Sequence, residues 1–541
     1  MTGSRRDFLV KAGAATLFAG CGGMMSFAEA MRNKGAELVA AARAKKINIL
    51  FIMTDDHAAH AISAYGSRVN RTPGIDRLAK EGMIFSDVMC TNPICGPSRA
   101  SILTGRYSHK NGVPTFVSID RNIETVGGHL RRAGYYTAFL GKWHVGGPKT
   151  VRDEDWDRWM VYENQGVYFD PYFKEPDGKG GIKTTVYKGE YATENLTRLT
   201  MAQIDAATAS GKPFFIMMHH KAPHRNWLPS KRYEGIFRRL TLKDIPMPET
   251  IYDTYEGRAT PIKTTAMTLL RHMRPNFDLK LAEYFSQGHT FTTVEGKTFE
   301  GRRNEQGQYV NDWPEGMTDH EKVQLSYLRY MQDYLACVQS VDDSVADMQN
   351  FLEARGLKEN TLVVYTADQG FFLGDHGLYD KRFIMEETLK MPFLAMCPAF
   401  IPAGSVNSDI ITNVDFAPTF MDLAGAPKPA EMQGDSFAAN MAGETPADWK
   451  DACYARYYVE GGEHQTAAWY GIRTKTEKLV YYYKRDEWEY FDRTKDPEEL
   501  HNLYNEPSAA PRVAALKRRL ADLREKYADD DKYANCHEYS L

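Results

Sequence analysis

The chain has 541 residues, so at roughly 100 to 200 residues per domain it holds more than one packed unit and is too long for a single small binding module. Hydrophobic residues make up 43% and charged residues 26%, and 67 basic against 71 acidic side chains leave a formal net charge of −4. That balance excludes a polybasic nucleic-acid binder and an acidic disordered tail, and no nucleic-acid partner is expected.

The first 30 residues read as an export signal. Ser4-Arg5-Arg6-Asp7-Phe8-Leu9-Val10-Lys11 precedes a largely apolar run from Ala12 to Ala19, the order of a twin-arginine signal. Ala28-Glu29-Ala30 fits cleavage before Met31, whereas Phe18-Ala19-Gly20-Cys21 is close to a lipobox that would make Cys21 a lipid anchor. The expectation is export by the twin-arginine translocase to the periplasm, as a soluble protein or a membrane-anchored lipoprotein. Beyond this segment no apolar run approaches the roughly 18 to 20 residues that cross a bilayer, and the mean hydropathy is −0.50.

From residue 46 onward, short apolar runs alternate with helical patterns. Ile47 to Met53 ends at Thr54-Asp55-Asp56-His57, Tyr136 to Leu140 at Gly141-Lys142-Trp143-His144, Phe214 to Met218 at His219-His220-Lys221-Ala222-Pro223-His224, and Thr361 to Thr366 at Ala367-Asp368-Gln369-Gly370. Near-continuous apolar runs predict strands covered on both faces. Helical patterns at Pro73 to Lys80, Ile123 to Arg132 and Thr193 to Ala209 lie between them, so the alternation predicts an α/β fold with a mostly parallel sheet. Ligands bind beyond the carboxyl ends of such strands, which is where these acids, lysines and histidines fall. Lys322 to Arg355 predicts one long helix whose stripe from Tyr327 to Phe351 faces the core.

The main unit is expected over 46–440, with an irregular insertion at about 240–316 rich in Pro, Thr and Arg. Residues 446–541 form a second, smaller unit. There, β-like runs at Ala467 to Arg473, Lys478 to Tyr483 and Glu487 to Phe491 predict an antiparallel sheet, closed by a helix from Pro511 to Tyr527.

The seven cysteines show no CxxC and no zinc-type spacing with histidine, so neither a disulfide scaffold nor a zinc site is expected. Cys95 stands apart. It precedes Pro97, which suits the first turn of a helix, and Arg99 lies one helical turn further on. Free amides at a helix start, together with that arginine, make an anion site with a nucleophile in it.

Cys95-Gly96-Pro97-Ser98-Arg99, with Thr104-Gly105 after it, resembles the first signature of the type I sulfatases of the alkaline-phosphatase superfamily. Gly134 to His144 resembles the second, with Leu140 bulkier than usual. The resemblance runs from about Lys46 to the end, and Lys221-Ala222-Pro223-His224 with Asp368 to Arg382 is most similar to bacterial glycan sulfatases of the N-acetylglucosamine-6-sulfatase group. It implies an alkaline-phosphatase-like fold and hydrolysis of sulfate esters on a carbohydrate.

The resemblance also implies a set of roles. A maturing enzyme oxidises Cys95 to formylglycine, whose hydrate offers two hydroxyls on one carbon. Asp55, Asp56, Asp368 and Gln369, with the modified residue 95, hold one divalent ion, most fittingly Ca2+. Gln369 departs from the Asn or His usual there. Lys142, Lys381 and Arg99 form a cationic clamp on the sulfuryl group, His144 takes the proton during sulfate release, and His224 protonates the departing sugar oxygen. Lys221, Arg225, Trp227 and Arg473 are candidate substrate contacts. Two other readings stay open at this point: a phosphomonoester or phosphonate monoester hydrolase of the same superfamily, and a catalytically dead glycan-binding protein.

Overall fold

The computed structural model describes residues 27–541; residues 1–26, which hold the twin-arginine pair and Cys21, lie outside them. Among the described residues no helix is long and apolar enough to cross a membrane. One sheet is built from β1 (Asn48–Thr54), β2 (Met83–Met89), β3 (Tyr136–Gly141), β4 (Arg158–Val161), β5 (Tyr172–Pro176), β6 (Ile182–Val186), β7 (Phe214–His219), β8 (Thr361–Ala367), β9 (Lys390–Met396), β10 (Ser405–Asn407) and β11 (Ile411–Thr412). Its order is β10-β2-β9-β8-β1-β7-β3-β4-β5-β6, with β11 also beside β2. The run β8-β1-β7-β3-β4 is parallel throughout, and antiparallel strands flank it on both sides.

The apolar runs form these strands because both of their faces are covered. All seven residues of β1 are buried; Leu50 and Ile52 enter one core, and Ile49, Phe51 and Met53 enter the other. Each such side chain contributes about 1.5 to 3 kcal/mol when fully buried, so a strand with no solvated face needs no alternation.

The helices are α1 (Phe27–Lys45), α2 (Pro73–Glu81), α3 (Cys95–Thr104), α4 (Val126–Arg132), α5 (Ala192–Ala209), α6 (Asp319–Ala354), α7 (Phe416–Leu423) and α8 (Ala510–Lys526). Helices α2, α5 and α6 pack on one face of the sheet, and α1, α3, α4 and α7 on the other. The long helix α6 starts three residues before the apolar stripe suggests. Thr318 caps it: its hydroxyl accepts from Glu321 N at 3.3 Å, and the Glu321 carboxylate accepts from Thr318 N at 2.7 Å.

The 240–316 segment is irregular apart from short helices and one two-residue hairpin. It is nonetheless packed, burying Ile245, Met267, Leu281 and Phe285 in the core that α6 shares. Tyr327 and Arg329 of α6 donate to the Pro246 and Leu279 carbonyls at 2.8 and 3.1 Å.

The C-terminal sheet has four consecutive antiparallel strands, β12 (Ala452–Tyr457), β13 (Trp469–Thr474), β14 (Glu477–Tyr482) and β15 (Glu487–Asp492), covered by α8. Sequence reading misses β12. Its Ala-Cys-Tyr-Ala-Arg-Tyr string is not an apolar run, and Arg456 is buried there only because Asp529 and Asp531 neutralise it.

Candidate active site

Four neighbouring strands, β8, β1, β7 and β3, deliver the candidate residues to one edge of the sheet. Asp55 and Asp56 follow β1, Asp368 and Gln369 follow β8, Lys142 and His144 follow β3, and Lys221 and His224 follow β7. The backbone ladder runs on past the strand ends and fixes them. Asp368 N donates to Thr54 O at 3.1 Å, His220 N to Met53 O at 2.8 Å, and Lys142 N to His219 O at 2.9 Å. Gly141 has φ +101°, and a β-carbon there would overlap the His219 carbonyl, so only glycine lets β3 turn into the Lys142 loop.

Cys95 opens α3, whose start faces the same edge. Ser98 Oγ donates to the Asp368 carbonyl and accepts from Asn413 Nδ2 at 2.9 Å, while Asn413 Oδ1 accepts from Thr91 N and Oγ1 at 3.1 and 2.8 Å. A β-carbon on Gly96 would stand 3.0 Å from the His144 carbonyl, so the loop after β3 closes directly onto the helix start. At the other end of α3, Gly105 with φ +64° donates to Ser101 O at 2.8 Å, which explains the Thr-Gly of the motif.

Arg99 is anchored to the scaffold on one side. Its Nε and Nη2 each stand 2.9 Å from Asp368 Oδ2, and Nη1 donates to the Lys142 carbonyl at 2.7 Å. The guanidinium is wholly enclosed. It holds Asp368 and the Lys142 loop in place through these charge-assisted contacts, while Nη2, beside the Asp368 carboxylate, has no hydrogen-bond partner.

The charges at the site alternate in sign. Lys142 Nζ donates to Asp55 and Gln165, Lys381 Nζ donates to Asp56, and Asp56 N donates to Asp368 Oδ1 at 3.2 Å. Burial pushes the Asp55 carboxyl up, yet Lys142, His224 and Arg99 outweigh it and hold Asp55 well below the usual range. For Asp56 burial wins and raises it to about 8 against Lys381; burial and Asp55 raise Asp368 to about 6 against Arg99. Burial likewise pushes the Cys95 thiol up to about 12, so the encoded side chain is a neutral, weak nucleophile at neutral pH.

Two clusters define what the site can hold. One oxygen each of Asp55, Asp56 and Asp368 lie within 4.8 Å of one another, and so do Cys95 Sγ, an Asp55 oxygen and a His224 nitrogen. Asp55 Oδ1, Asp56 Oδ2 and Gln369 Oε1 are buried without a hydrogen-bond partner. Clustered carboxylate oxygens, with unpartnered oxygens on Asp55, Asp56 and Gln369, fit a hard divalent cation, since a buried carboxylate oxygen is costly unless paired or coordinated. Gln369 lies against Asp56 through Nε2, with its carbonyl oxygen free for such a role.

A His224 nitrogen lies within 4.8 Å of Cys95 Sγ, and the His144 carbonyl lies against Gly96, the next residue. Gln165 Nε2 donates to His144 Nε2 at 3.1 Å, and the same amide's oxygen takes Lys142, so one residue fixes two candidate groups. His224 turns Nδ1 to the Arg225 carbonyl and places Nε2 3.9 Å from Asp56 Oδ2. Burial holds both imidazoles well below the ordinary value. His144 and Asp56, with Asp380 and Arg382 on either side of Lys381, have φ between +57° and +89°, which is uncommon for side-chain-bearing residues.

Gln165 and Asn413 are the site residues that the sequence reading missed. Neither lies in a motif, and only the fold brings them near their partners. Two candidate substrate contacts do not hold. Trp227 is fully buried with its ring 4.5 Å from that of Tyr330, and Arg473 is buried in the C-terminal sheet against Asp87 and Glu386. Arg225 is tied to Asp278, and Lys221 lies over the Tyr168 ring at 4.9 Å. His57 bonds Tyr365, and His376 bonds Asp253, both inside the protein.

Comparison with known proteins agrees with this architecture. The family model described as Sulfatase matches residues 47–426, and one described as N-sulphoglucosamine sulphohydrolase, C-terminal, matches 374–526. The chain is 38% identical over 503 residues to an N-acetylglucosamine-6-O-sulfatase of Bacteroides thetaiotaomicron, covering 90% of this chain and 88% of that protein. A solved structure described as BT4656 in complex with its substrate D-glucosamine-2-N,6-O-disulfate superposes with a TM-score of 0.79 at 37% identity, over 90% of this chain and 99% of that one. A phosphonate monoester hydrolase from Silicibacter pomeroyi shares the fold at a TM-score of 0.63 and 20% identity, over 90% of this chain and 96% of that one. With a nucleophile motif, an acidic oxygen cluster and two lysines gathered near the strand ends of this sheet, the chain belongs to the sulfatase family and is a sulfuric ester hydrolase acting on carbohydrate sulfates.

Proposed function

We propose that the protein removes the 6-O-sulfate of a glucosamine residue in a sulfated glycan, using Cys95 converted to formylglycine and one divalent ion, Ca2+. The observation that carries this reading is Cys95 at the start of α3, buried among Asp55, Lys142, His224 and Lys381. The choice of sugar rests on the likeness to the N-acetylglucosamine-6-O-sulfatase and to the glucosamine-disulfate complex.

The hydrated aldehyde supplies two hydroxyls on one carbon, one to accept the sulfuryl group and one to expel sulfate. Asp55, Asp56, Asp368 and Gln369 would hold the ion, which supplies Lewis acidity to the ester oxygens and eases ionisation of the attacking hydroxyl. Lys142 and Lys381 flank the cluster and stabilise negative charge as it moves onto the sulfuryl oxygens. Arg99 keeps Asp368 ionised and fixes the backbone of Lys142. His224 is neutral in the free protein, and an anionic ester brought beside Nε2 favours its protonation, so it donates to the departing sugar oxygen. His144 takes the proton of the second hydroxyl at Nε2, the nitrogen that accepts from Gln165 in the free protein and so carries the lone pair.

The same reading assigns 46–440 to the catalytic unit and 446–541 to a supporting one. A formylglycine-generating or sulfatase-maturing enzyme acts on Cys95. The N-terminal segment directs twin-arginine export to the periplasm, with Cys21 as the lipid anchor if the lipobox is used. The test combines mass and activity. A tryptic peptide carrying residue 95 as an aldehyde, Cys95→Ala without turnover but with an unchanged melting profile, and release of sulfate from N-acetylglucosamine-6-sulfate are expected. Full activity with an unmodified thiol, or turnover only of sugars sulfated elsewhere, overturns it.

A further inference from the structure

The rim of the site carries an aromatic pair that none of the steps above uses. Thr115 Oγ1 and Phe116 N both donate to the Glu538 carbonyl, the amide at 3.1 Å, and so fasten the 536–541 segment onto the loop before α4. The Phe116 ring centroid lies 5.4 Å from that of His144, and a β-carbon on Gly96 would touch Phe116 at 3.5 Å. Tyr539 stacks on Phe116 with centroids 5.8 Å apart and planes at 22°, and is 69% exposed. The Glu538 carboxylate points the other way. Its Oε2 accepts from Glu463 N at 3.1 Å, and Oε1 lies 3.7 Å from Arg382, the neighbour of Lys381.

Glu538 and Tyr539 thus stand between the His144 loop and the Lys381 loop. The pair lies beside the His144 loop through the Phe116 ring and beside the Lys381 loop through the Glu538–Arg382 contact. A tyrosine with an open face, backed by a second ring and fixed through its neighbour's backbone, offers a rigid amphipathic surface at little cost in side-chain entropy. The C–H face of a pyranose is the complementary surface, flat, weakly polar and edged with hydroxyls.

We propose that the Phe116–Tyr539 stack is a binding platform for the saccharide joined to the sulfated sugar, so that the enzyme recognises its glycan beyond the unit it desulfates. The proposal rests on the glucosamine-sulfatase reading and adds a subsite to it. Matured enzyme and its Tyr539→Ala and Tyr539→Phe variants are assayed on N-acetylglucosamine-6-sulfate and on a tetrasaccharide ending in the same sulfated unit. Tyr539→Ala raises KM for the tetrasaccharide up to about tenfold, the size of one aromatic contact, and leaves the monosaccharide within about twofold. Tyr539→Phe retains the parent value on both. An unchanged tetrasaccharide KM in Tyr539→Ala, or equal losses on the two substrates, overturns the platform while leaving the sulfatase reading intact. Parent enzyme inactive on both substrates overturns both.

Discussion

Replacing Arg99 by methionine removes the guanidinium while keeping most of its volume. Asp368 then loses two contacts at 2.9 Å, and the Lys142 carbonyl loses a donor at 2.7 Å, all inside the protein. Breaking one side of a buried ion pair costs about 3 to 5 kcal/mol because the remaining charge is left uncompensated. An orphaned buried carbonyl adds about 1 to 3 kcal/mol. Against a total stability on the order of 5 to 15 kcal/mol, this is a large fraction and moves the urea midpoint far down. Asp368, already raised to about 6 by burial and Asp55 with Arg99 opposing, moves further up in the variant because the opposing cation is gone. Arg99→Lys separates charge from shape. It restores a cation beside Asp368 and recovers part of the stability, but it cannot also reach the Lys142 carbonyl, so kcat/KM stays down by about 10²-fold, the cost of a misplaced group. Urea denaturation and sulfate release from one sugar sulfate measure both effects. Arg99→Met within about 1 kcal/mol of the parent, or Arg99→Lys with near-parent turnover, would refute the positioning role.

Chelation is expected to abolish turnover, with Ca2+ restoring it better than Zn2+ because the clustered donors are oxygens, and Asp56→Asn should weaken both retention and rate; isothermal titration that finds tight stoichiometric zinc in the active enzyme contradicts this. His224→Ala should slow sugar-sulfate hydrolysis by roughly 10²- to 10⁴-fold and 4-nitrophenyl sulfate far less, since an aryl oxide needs little protonation, whereas Lys381→Ala should depress both alike. Equal losses for His224→Ala move the acid role elsewhere. Burial lowers His57 and His220 to about 3, and the unfolded chain, near 6.5, binds the extra protons. Their contribution is therefore complete above pH 6.5 and is lost as pH falls; each costs about 2 kcal/mol between pH 7 and 5, read as a falling urea midpoint that His220→Gln flattens.

The strand ends were legible because parallel strands covered on both faces leave long apolar runs, and the polar residues that interrupt them are then conspicuous. Strand β2 was not, since Ser86 and Asp87 break its run; Asp87 is tolerated there by an ion pair with Arg473 from the distant C-terminal sheet. The motif residues Cys95, Lys142 and Lys381 could be named from spacing and resemblance, and the fold brings them to one edge. What spacing withheld was each residue's partner. Arg99 finds Asp368 from 269 positions away, and Ser98 finds Asn413 from 315, so the sequence supplies a charge without saying what it faces. Gln165 belongs to no motif, and its importance exists only once the two loops have met.

The enclosure of Cys95 also sets an order of events during synthesis. Its helix is tied down by Asp368 and Asn413, so the walls that hide the thiol do not exist until the ribosome has added the roughly 315 residues that follow. At about 5 to 20 residues per second, that leaves the thiol accessible for about 15 to 60 seconds of elongation. The six cysteines among the described residues are all buried and unpaired, so no oxidative step delays closure afterwards. Under the proposed conversion of Cys95 to formylglycine, the modifying enzyme works against a clock set by translation, and slowing elongation between residues 95 and 413 should raise the fraction of chains that mature.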